Sequence, residues 1–214
     1  MKSKPKIGVI DTGTSNIRSV IYALLEKNAD VKQISNFEDY TKNIDALVVP
    51  GIGSFGFVMD KLKKERLDKV ILEELSKGKP SMFICVGMQI LFSSSNEFKK
   101  CKGLNYFEGE VKKIKENGGD GKKKRTVPMI GWNKLNKKNS CKVLNVDKLK
   151  NFFYFTHSYY ADPKDKSIIS STSNYKDFEY CSSLSKDNVC AFQFHPEKSG
   201  KEGLKIYKNF LNLI

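Results

Sequence analysis

The run Pro80-Ser81-Met82-Phe83-Ile84-Cys85-Val86-Gly87-Met88-Gln89 carries the reading of this chain, because an apolar strand gives way to a helix at a cysteine. A short continuous apolar run bounded by turn residues reads as a strand buried on both faces, the kind found in parallel sheets. A thiol at the end of such a strand faces the N-terminus of the following helix, where free N–H groups and aligned peptide dipoles favour its anion. Gly87 permits a tight turn with close helix packing, and the Val86 N–H then points where an oxyanion would form. Cys85 is therefore a candidate nucleophile; the alternative is a core cysteine at a strand end, since free Cys is among the most buried residue types.

Upstream of this elbow the sequence alternates strand and helix periods. Ile7–Ile10 predicts a strand, Ile17, Val20, Ile21, Leu24 and Leu25 share a helical stripe, and Val31–Ile34 predicts a second strand, which makes a βαβ unit. Ala46–Val49 is a third strand. The positions Val58, Leu62, Leu67, Val70, Ile71 and Leu75 predict one long helix, closed by Gly78 and Pro80. Four short strands alternating with helices imply a largely parallel sheet. Pro50-Gly51-Ile52-Gly53-Ser54-Phe55-Gly56 follows a buried strand, where parallel sheets place their ligand loops. It is either an oxyanion donor and substrate cradle or an ordinary glycine-rich turn, and it lacks the GxxxxGK[ST] spacing of a phosphate loop.

Beyond residue 104 the pattern changes to short strands at Val111–Ile114, Thr126–Ile130, Phe152–Phe155, Ile168–Ser171 and Val189–Phe194, read mainly as antiparallel additions. A last amphipathic helix carries Leu204, Tyr207, Phe210 and Leu211. The chain holds two histidines, and His195 ends an apolar strand in Phe192-Gln193-Phe194-His195-Pro196-Glu197. Pro196 turns the backbone out of the sheet, so that Glu197 can curl back onto the imidazole and fix its tautomer. Thiol, imidazole and carboxylate together make a nucleophilic set; the alternative for His195 is a satisfied loop histidine.

Composition narrows the classes. With 214 residues, 39% of them hydrophobic, the chain can bury a substantial core, and it is read as a single domain spanning 1–214. The polar start and short apolar runs predict neither a signal peptide nor a membrane span, hence a cytoplasmic protein without a membrane partner. Five cysteines without CxxC spacing fit neither a disulfide framework nor a zinc site, and no metal or other cofactor is expected. The net charge of +14 and the basic stretch Lys112–Arg125 could engage a polyanion. Only Arg18, Arg66 and Arg125 are arginines, however, so a solvated lysine surface is the preferred reading and nucleic acid an unlikely partner.

Taken in order, Asp11-Thr12-Gly13-Thr14-Ser15-Asn16 with Ser19-Val20, Pro50-Gly51-Ile52-Gly53-Ser54-Phe55, Cys85-Val86-Gly87-Met88-Gln89, Gly131-Trp132-Asn133, His157-Ser158-Tyr159-Tyr160 and Gln193-Phe194-His195-Pro196-Glu197-Lys198-Ser199-Gly200 resemble the class I glutamine amidotransferases. Within that family they are most similar to the glutaminase subunits of imidazole glycerol phosphate synthases, and the likeness runs nearly end to end. It implies an α/β, flavodoxin-like three-layer fold: a central mixed, mostly parallel sheet with helices on both faces and a small antiparallel extension. It implies glutamine as substrate, Cys85 as nucleophile, His195 as acid and base, and Glu197 as its orienting partner. It further implies oxyanion donors at Val86 and in the loop Gly51, Ile52 and Gly53, glutamine-binding roles for Gln89, Glu97 and Tyr159, and no catalytic duty for His157. A (β/α)8-barrel cyclase would be the partner of a heterodimer, receiving ammonia to make imidazole glycerol phosphate and aminoimidazole carboxamide ribotide.

The sequence departs from the family pattern at Phe83, where a glycine is usual, at Met129-Ile130 before Gly131, and at Thr12 and Ser15. Two other readings stand beside this one. A paralogous glutaminase would supply ammonia to an amidotransferase acting on an N-acetyl sugar, and a non-enzymatic module would use the basic stretch near Lys122–Arg125 to bind RNA.

Overall fold

The computed structural model describes residues 3–13, 16–116, 124–145 and 152–214; Thr14, Ser15 and the Gly118–Gly121 part of the basic stretch lie outside them. In chain order the strands are β1 (Lys6–Ile10), β2 (Asp30–Ile34), β3 (Ala46–Gly51), β4 (Ser81–Cys85), β5 (Phe92–Ser95), β6 (Cys101–Lys102), β7 (Phe107–Lys113), β8 (Met129–Lys134), β9 (Asn136–Lys137), β10 (Phe152–His157), β11 (Tyr159–Pro163), β12 (Ile169–Tyr175), β13 (Phe178–Lys186) and β14 (Val189–Phe192). The helices are α1 (Ile17–Glu26), α2 (Phe55–Lys64), α3 (Leu67–Ser76), α4 (Val86–Ile90) and α5 (Gly200–Leu211).

The main sheet has eight strands in the order β2-β1-β3-β4-β14-β13-β12-β9. The first five run parallel and the last three close the sheet in antiparallel pairs, so the sheet is mixed and mostly parallel as expected. From β1 the chain steps outward to β2 through α1, and from β3 it steps the other way to β4 through α2 and α3. Because such crossovers are right-handed, opposite steps put α1 and the α2–α3 pair on opposite faces. The reversal between β1 and β3 opens a crevice at the carboxyl ends of the strands, where ligand loops collect. A two-stranded ribbon, β10-β8, and a four-stranded sheet, β11-β7-β5-β6, pack beside this layer. One cluster of buried side chains joins all three, including Val48 and Phe83 of the main sheet, Phe107 and Val111 of the small sheet, and Phe153 and Phe155 of the ribbon. Each such side chain contributes about 1.5–3 kcal/mol by leaving water.

Two sequence expectations need correction. The single long helix through Val58–Leu75 is two helices, broken at Arg66, whose backbone takes φ +57. From Leu62 to Leu67 the apolar stripe advances five residues, about 140° past a full turn, so one straight helix could not bury both faces against the sheet. The strand predicted as Val189–Phe194 ends at Phe192; it pairs antiparallel with β13 as expected, but on its other side it lies parallel to β4 inside the main sheet, with Cys190 opposite Met82 and Phe192 opposite Ile84. This insertion brings the segment that carries His195 beside β4. The other late strands also shift their limits, Thr126–Pro128 staying outside β8 and Ile168 outside β12.

Phe83, unusual for the family, is fully buried between Val49 of β3 and the small Ala191 of β14. Another feature had no sequence signal: Glu74 of α3 is fully buried, paired with Lys77 at 2.6 Å and Lys79 at 2.7 Å and accepting a hydrogen bond from Tyr40 Oη. Burial penalises its charge, but these donors outweigh the penalty and hold the carboxyl below its usual range.

Candidate active site

Cys85 closes β4 with φ +56 and ψ −111, a backbone state that costs a residue with a side chain about 1–3 kcal/mol and persists only where its surroundings impose it. The imposing contact is visible at Gly87: a Cβ there would lie 2.0 Å from the Val49 carbonyl oxygen, so only glycine lets α4 settle directly on β3. The chain therefore turns sharply at the cysteine and aims the sulfur away from the sheet plane. Its Sγ lies 3.9 Å from the Thr156 carbonyl and accepts a hydrogen bond from Gln193 Nε2 at 3.7 Å. Gln193 is fully buried, and its Oε1 accepts from Gln89 Nε2 at 3.0 Å, which also donates to the Tyr159 carbonyl. A chain of amides thus runs from β11 to the sulfur.

His195 arrives three residues after β14 ends. The bonds from Gln193 N to the Ser182 carbonyl and from His195 N to the Tyr154 carbonyl, both 2.9 Å, carry the chain off the main sheet and onto the ribbon. Pro196 then opens a single 3-10 turn, Pro196–Lys198, fastened by Ser199 Oγ donating to the His195 carbonyl at 2.6 Å. The turn folds Glu197 back as the sequence suggested: His195 Nδ1 lies 2.7 Å from Glu197 Oε1, with both side chains 1% exposed. A carboxylate only accepts, so Nδ1 carries the proton and Nε2 faces the sulfur side. Burial alone would push the imidazole down, but the neighbouring Cys85 sulfur and then Glu197 overcome it and raise its pKa to about 10. An imidazolium beside the Cys85 sulfur is the charge state this arrangement favours.

A cavity of about 200 Å³ opens over the sulfur, lined by Ile52, Gly53, Cys85, Val86, Gln89, Glu97, Pro128, Thr156, His157, Ser158 and Tyr159. The structure thereby gathers seven of the residues singled out from sequence around one space, while His195 and Glu197 are buried and do not line it. Gly51 backs the elbow instead of lining the cavity: it is in register with Cys85, and a Cβ on it would lie 3.0 Å from Gly87 N. Thr12 Oγ1 donates to the Pro50 carbonyl at 3.0 Å and ties this loop to the end of β1. Glu97 Oε2 accepts from Phe55 N at 2.6 Å, and burial raises its pKa against that bond. Its other oxygen and Gln89 Oε1 remain as acceptors suited to an ammonium group, since both Gln89 N–H groups are already used. Among the described residues no cluster of His, Cys, Asp and Glu has the arrangement to hold a metal ion.

Known proteins resemble this chain in sequence and in fold. The class-I glutamine amidotransferase family profile matches residues 8–213. This chain belongs to that family. Its amidotransferase relatives include the imidazole glycerol phosphate synthase subunit HisH of Pyrococcus furiosus, 39% identical over 208 residues, 97% of this chain and 99% of that one. The HisH subunit of Aquifex aeolicus is 41% identical over 202 residues, 94% of each chain. Among solved structures, PurLQS from Thermotoga maritima superposes with TM-score 0.75 at 19% identity over 99% of both chains, and a crystal structure of a glutamine amidotransferase with TM-score 0.69 at 16% identity over 97% of both. The amidotransferase fold is thus common to chains whose sequences have diverged widely.

Sequence reasoning gave no role to Gln193, Thr156 or Asn16, which touch the sulfur or Glu197. Gln193 and Asn16 lay inside quoted motifs; only their neighbours in space show what they do. The second histidine, His157, is buried with Nδ1 2.9 Å from the Tyr159 carbonyl, and burial pushes its pKa down to about 4. An imidazole that folds neutral stabilises the fold fully above its unfolded pKa of about 6.5 and loses that contribution as pH falls toward 4. Stability should therefore drop by about 2 kcal/mol between pH 7 and 5 from this residue alone. Denaturant titrations of wild type and His157→Gln at both pH values check this: the variant should show the smaller drop, and equal drops would refute the buried neutral state. His195 acts the other way over part of that interval: with its pKa raised, the folded imidazole stays protonated while the unfolded one gains its proton only as pH falls through about 6.5, so its stabilisation is complete below that pH and partly lost at pH 7, in wild type and variant alike.

The remaining cysteines do not share the Cys85 environment. Burial pushes the Cys181 thiol up to about 12 and Cys190 well above its ordinary value. Arg125, the arginine of the basic stretch, is buried and turned inward, with Nη2 2.6 Å from Asp177 and Nη1 donating to the Lys115 carbonyl. No helix of the described residues is long and apolar enough to cross a membrane.

Proposed function

We propose that the chain is the glutaminase subunit of an imidazole glycerol phosphate synthase, working in the cytoplasm as one glutamine amidotransferase domain over its whole length. The Cys85 thiolate attacks the side-chain amide carbon of glutamine. The N–H groups of Val86 and of the Gly51–Gly53 loop stabilise the tetrahedral oxyanion, and His195 passes its Nε2 proton to the departing nitrogen. Ammonia leaves and a thioester remains on the sulfur. Water, deprotonated by His195, hydrolyses it to glutamate and restores the thiolate, while Glu197 supports the imidazolium in both half-reactions. Gln89 Oε1, Glu97 and Tyr159 hold the amino-acid end of the substrate. The observation that carries this reading is the strained cysteine beside an imidazole that is itself bonded to a buried carboxylate.

Ammonia that reaches bulk water at neutral pH is protonated and useless as a nucleophile, so the reaction needs an acceptor site that covers the cavity. Imidazole glycerol phosphate synthase subunits being relatives over nearly the full length supports a (β/α)8-barrel cyclase in that place, with imidazole glycerol phosphate and aminoimidazole carboxamide ribotide as products. The ribbon supports it too. On its outer face Ile130, Trp132 and Phe152 are 63%, 57% and 53% exposed, and Ile130 pairs across the ribbon with Thr156, which lines the cavity. Exposed aromatic and apolar side chains gathered at the mouth of a site mark an interaction surface.

Trp132→Ala should weaken binding of the cyclase subunit by about tenfold or more, read by calorimetric titration, with the isolated chain melting unchanged. Unaltered affinity would place the partner elsewhere. Ammonia-transfer assays with the cyclase substrate and with an N-acetyl sugar amidotransferase separate this acceptor from the alternative one.

A further inference from the structure

Asn16 stands directly before α1, where an asparagine normally accepts hydrogen bonds from the first free N–H groups of the helix. It makes no such cap. Its side chain instead reaches across the fold and Nδ2 donates to Glu197 Oε1 at 2.7 Å, to the same oxygen that receives His195 Nδ1. The other carboxylate oxygen, Oε2, is buried and has no hydrogen-bond partner among the described residues. Two donors on one oxygen therefore hold the whole group, one being the imidazole it serves and the other Asn16.

We propose that Asn16 is a positioning residue for the reaction: its amide fixes the Glu197 carboxylate against His195 and so sets how the imidazole is presented to Cys85. The segment after β1 then reaches the chemistry at two points, through Thr12 on the Pro50 carbonyl of the oxyanion loop and through Asn16 on the acid. The inference rests on the catalytic reading of Cys85, His195 and Glu197. A helix-start asparagine used in this way leaves α1 to be held by its buried Val20, Ala23 and Leu24, which explains how the cap can be forgone.

The test reads the imidazole directly. The chain has two histidines, and His157 with its pKa near 4 titrates well away from His195, so nitrogen-15 spectra of the imidazoles follow each separately. The titratable groups facing His195 are Cys85 from β4, Glu197 from its own turn and His157 from β10, and Tyr207 of α5 faces Glu197. Without the Asn16 donor nothing but the imidazole itself orients the carboxylate, which can rotate out of line with Nδ1 and so loosen the bond that supports the imidazolium. Asn16→Ala should thus lower the His195 midpoint by roughly half a unit to one unit. With the partner bound, the turnover rate should fall roughly tenfold at nearly unchanged KM, and the alkaline limb of the pH profile should move to lower pH.

Asn16→Ser keeps a side chain suited to capping α1 but too short to reach Glu197, and should behave like Asn16→Ala. If Asn16→Ser matches wild type, if the His195 midpoint stays put in both variants, or if both fail to fold, Asn16 serves the helix and the proposal is overturned. The imidazole midpoint is measured without glutamine, so an unmoved midpoint sinks this inference alone. Glutamine hydrolysis that survives loss of Cys85 would sink the catalytic reading instead.

Discussion

Cys85→Ala should abolish glutamine-dependent turnover, by about 10,000-fold or more, while the assembled complex still makes product when supplied with ammonium salts. The asymmetry follows from where each half of the chemistry sits. Removing the sulfur removes the only atom placed to form a thioester, since among the described residues no second thiol shares its elbow geometry or its imidazole. It leaves the ribbon face and the cavity walls intact, so a docked partner retains its own acceptor site. Glutamate release and product formation, measured on the same preparation with glutamine and then with ammonium, give the two numbers. Retained glutamine use would remove the enzyme reading, and loss of both activities would mean that the variant had damaged the complex.

Gly87→Ala should be nearly as severe although it changes no chemical group. Its methyl carbon would fall 2.0 Å from the Val49 carbonyl oxygen and 3.1 Å from the carbon bearing it, against a normal separation above about 3 Å. Backbone atoms on both sides must part by about an ångström, and the parts that move are the elbow and the oxyanion loop. A displacement of that size costs about 100-fold in rate, and overpacking of this kind costs about 1–3 kcal/mol of stability. Gly56→Ala is the matched control. Nothing lies within 4 Å of a Cβ there and the residue is inside α2, so this change should stabilise the fold by up to about 1 kcal/mol with activity unaltered. Similar behaviour of the two variants, in circular-dichroism melts and glutaminase assays, would show that α4 is not seated on β3 as described.

Several parts of this site were legible in the sequence because their causes are local. The Cys85-Val86-Gly87 elbow follows from an apolar run meeting a glycine, and the return of Glu197 onto His195 follows from the one proline between them. The parallel order of β1 to β4 follows from alternating periods of two and 3.6 residues. The break at Arg66 was also present in the spacing between Leu62 and Leu67, although the stripe was read through it.

Other features had no local cause to read. β14 forms a hairpin with β13 just before it, but its other neighbour, β4, comes from a distant part of the chain, and an apolar run of four residues suits either a central or an edge position. Gln193 contacts the sulfur across 108 residues, and Asn16 contacts Glu197 across 181. Either amide, taken from sequence, reads as an ordinary buried or capping residue.

The chain order by itself thus determined which groups could do chemistry and in what local shape: a thiol at a strained turn, an imidazole before a proline, a carboxylate two residues on. Tertiary structure alone decided that these turns meet, what orients them, and that an asparagine gives up its helix for an acid. The reason is physical. Turn geometry and helix period are set by neighbours along the backbone, whereas a side-chain hydrogen bond is set by whichever partner the packed core brings within about 3 Å.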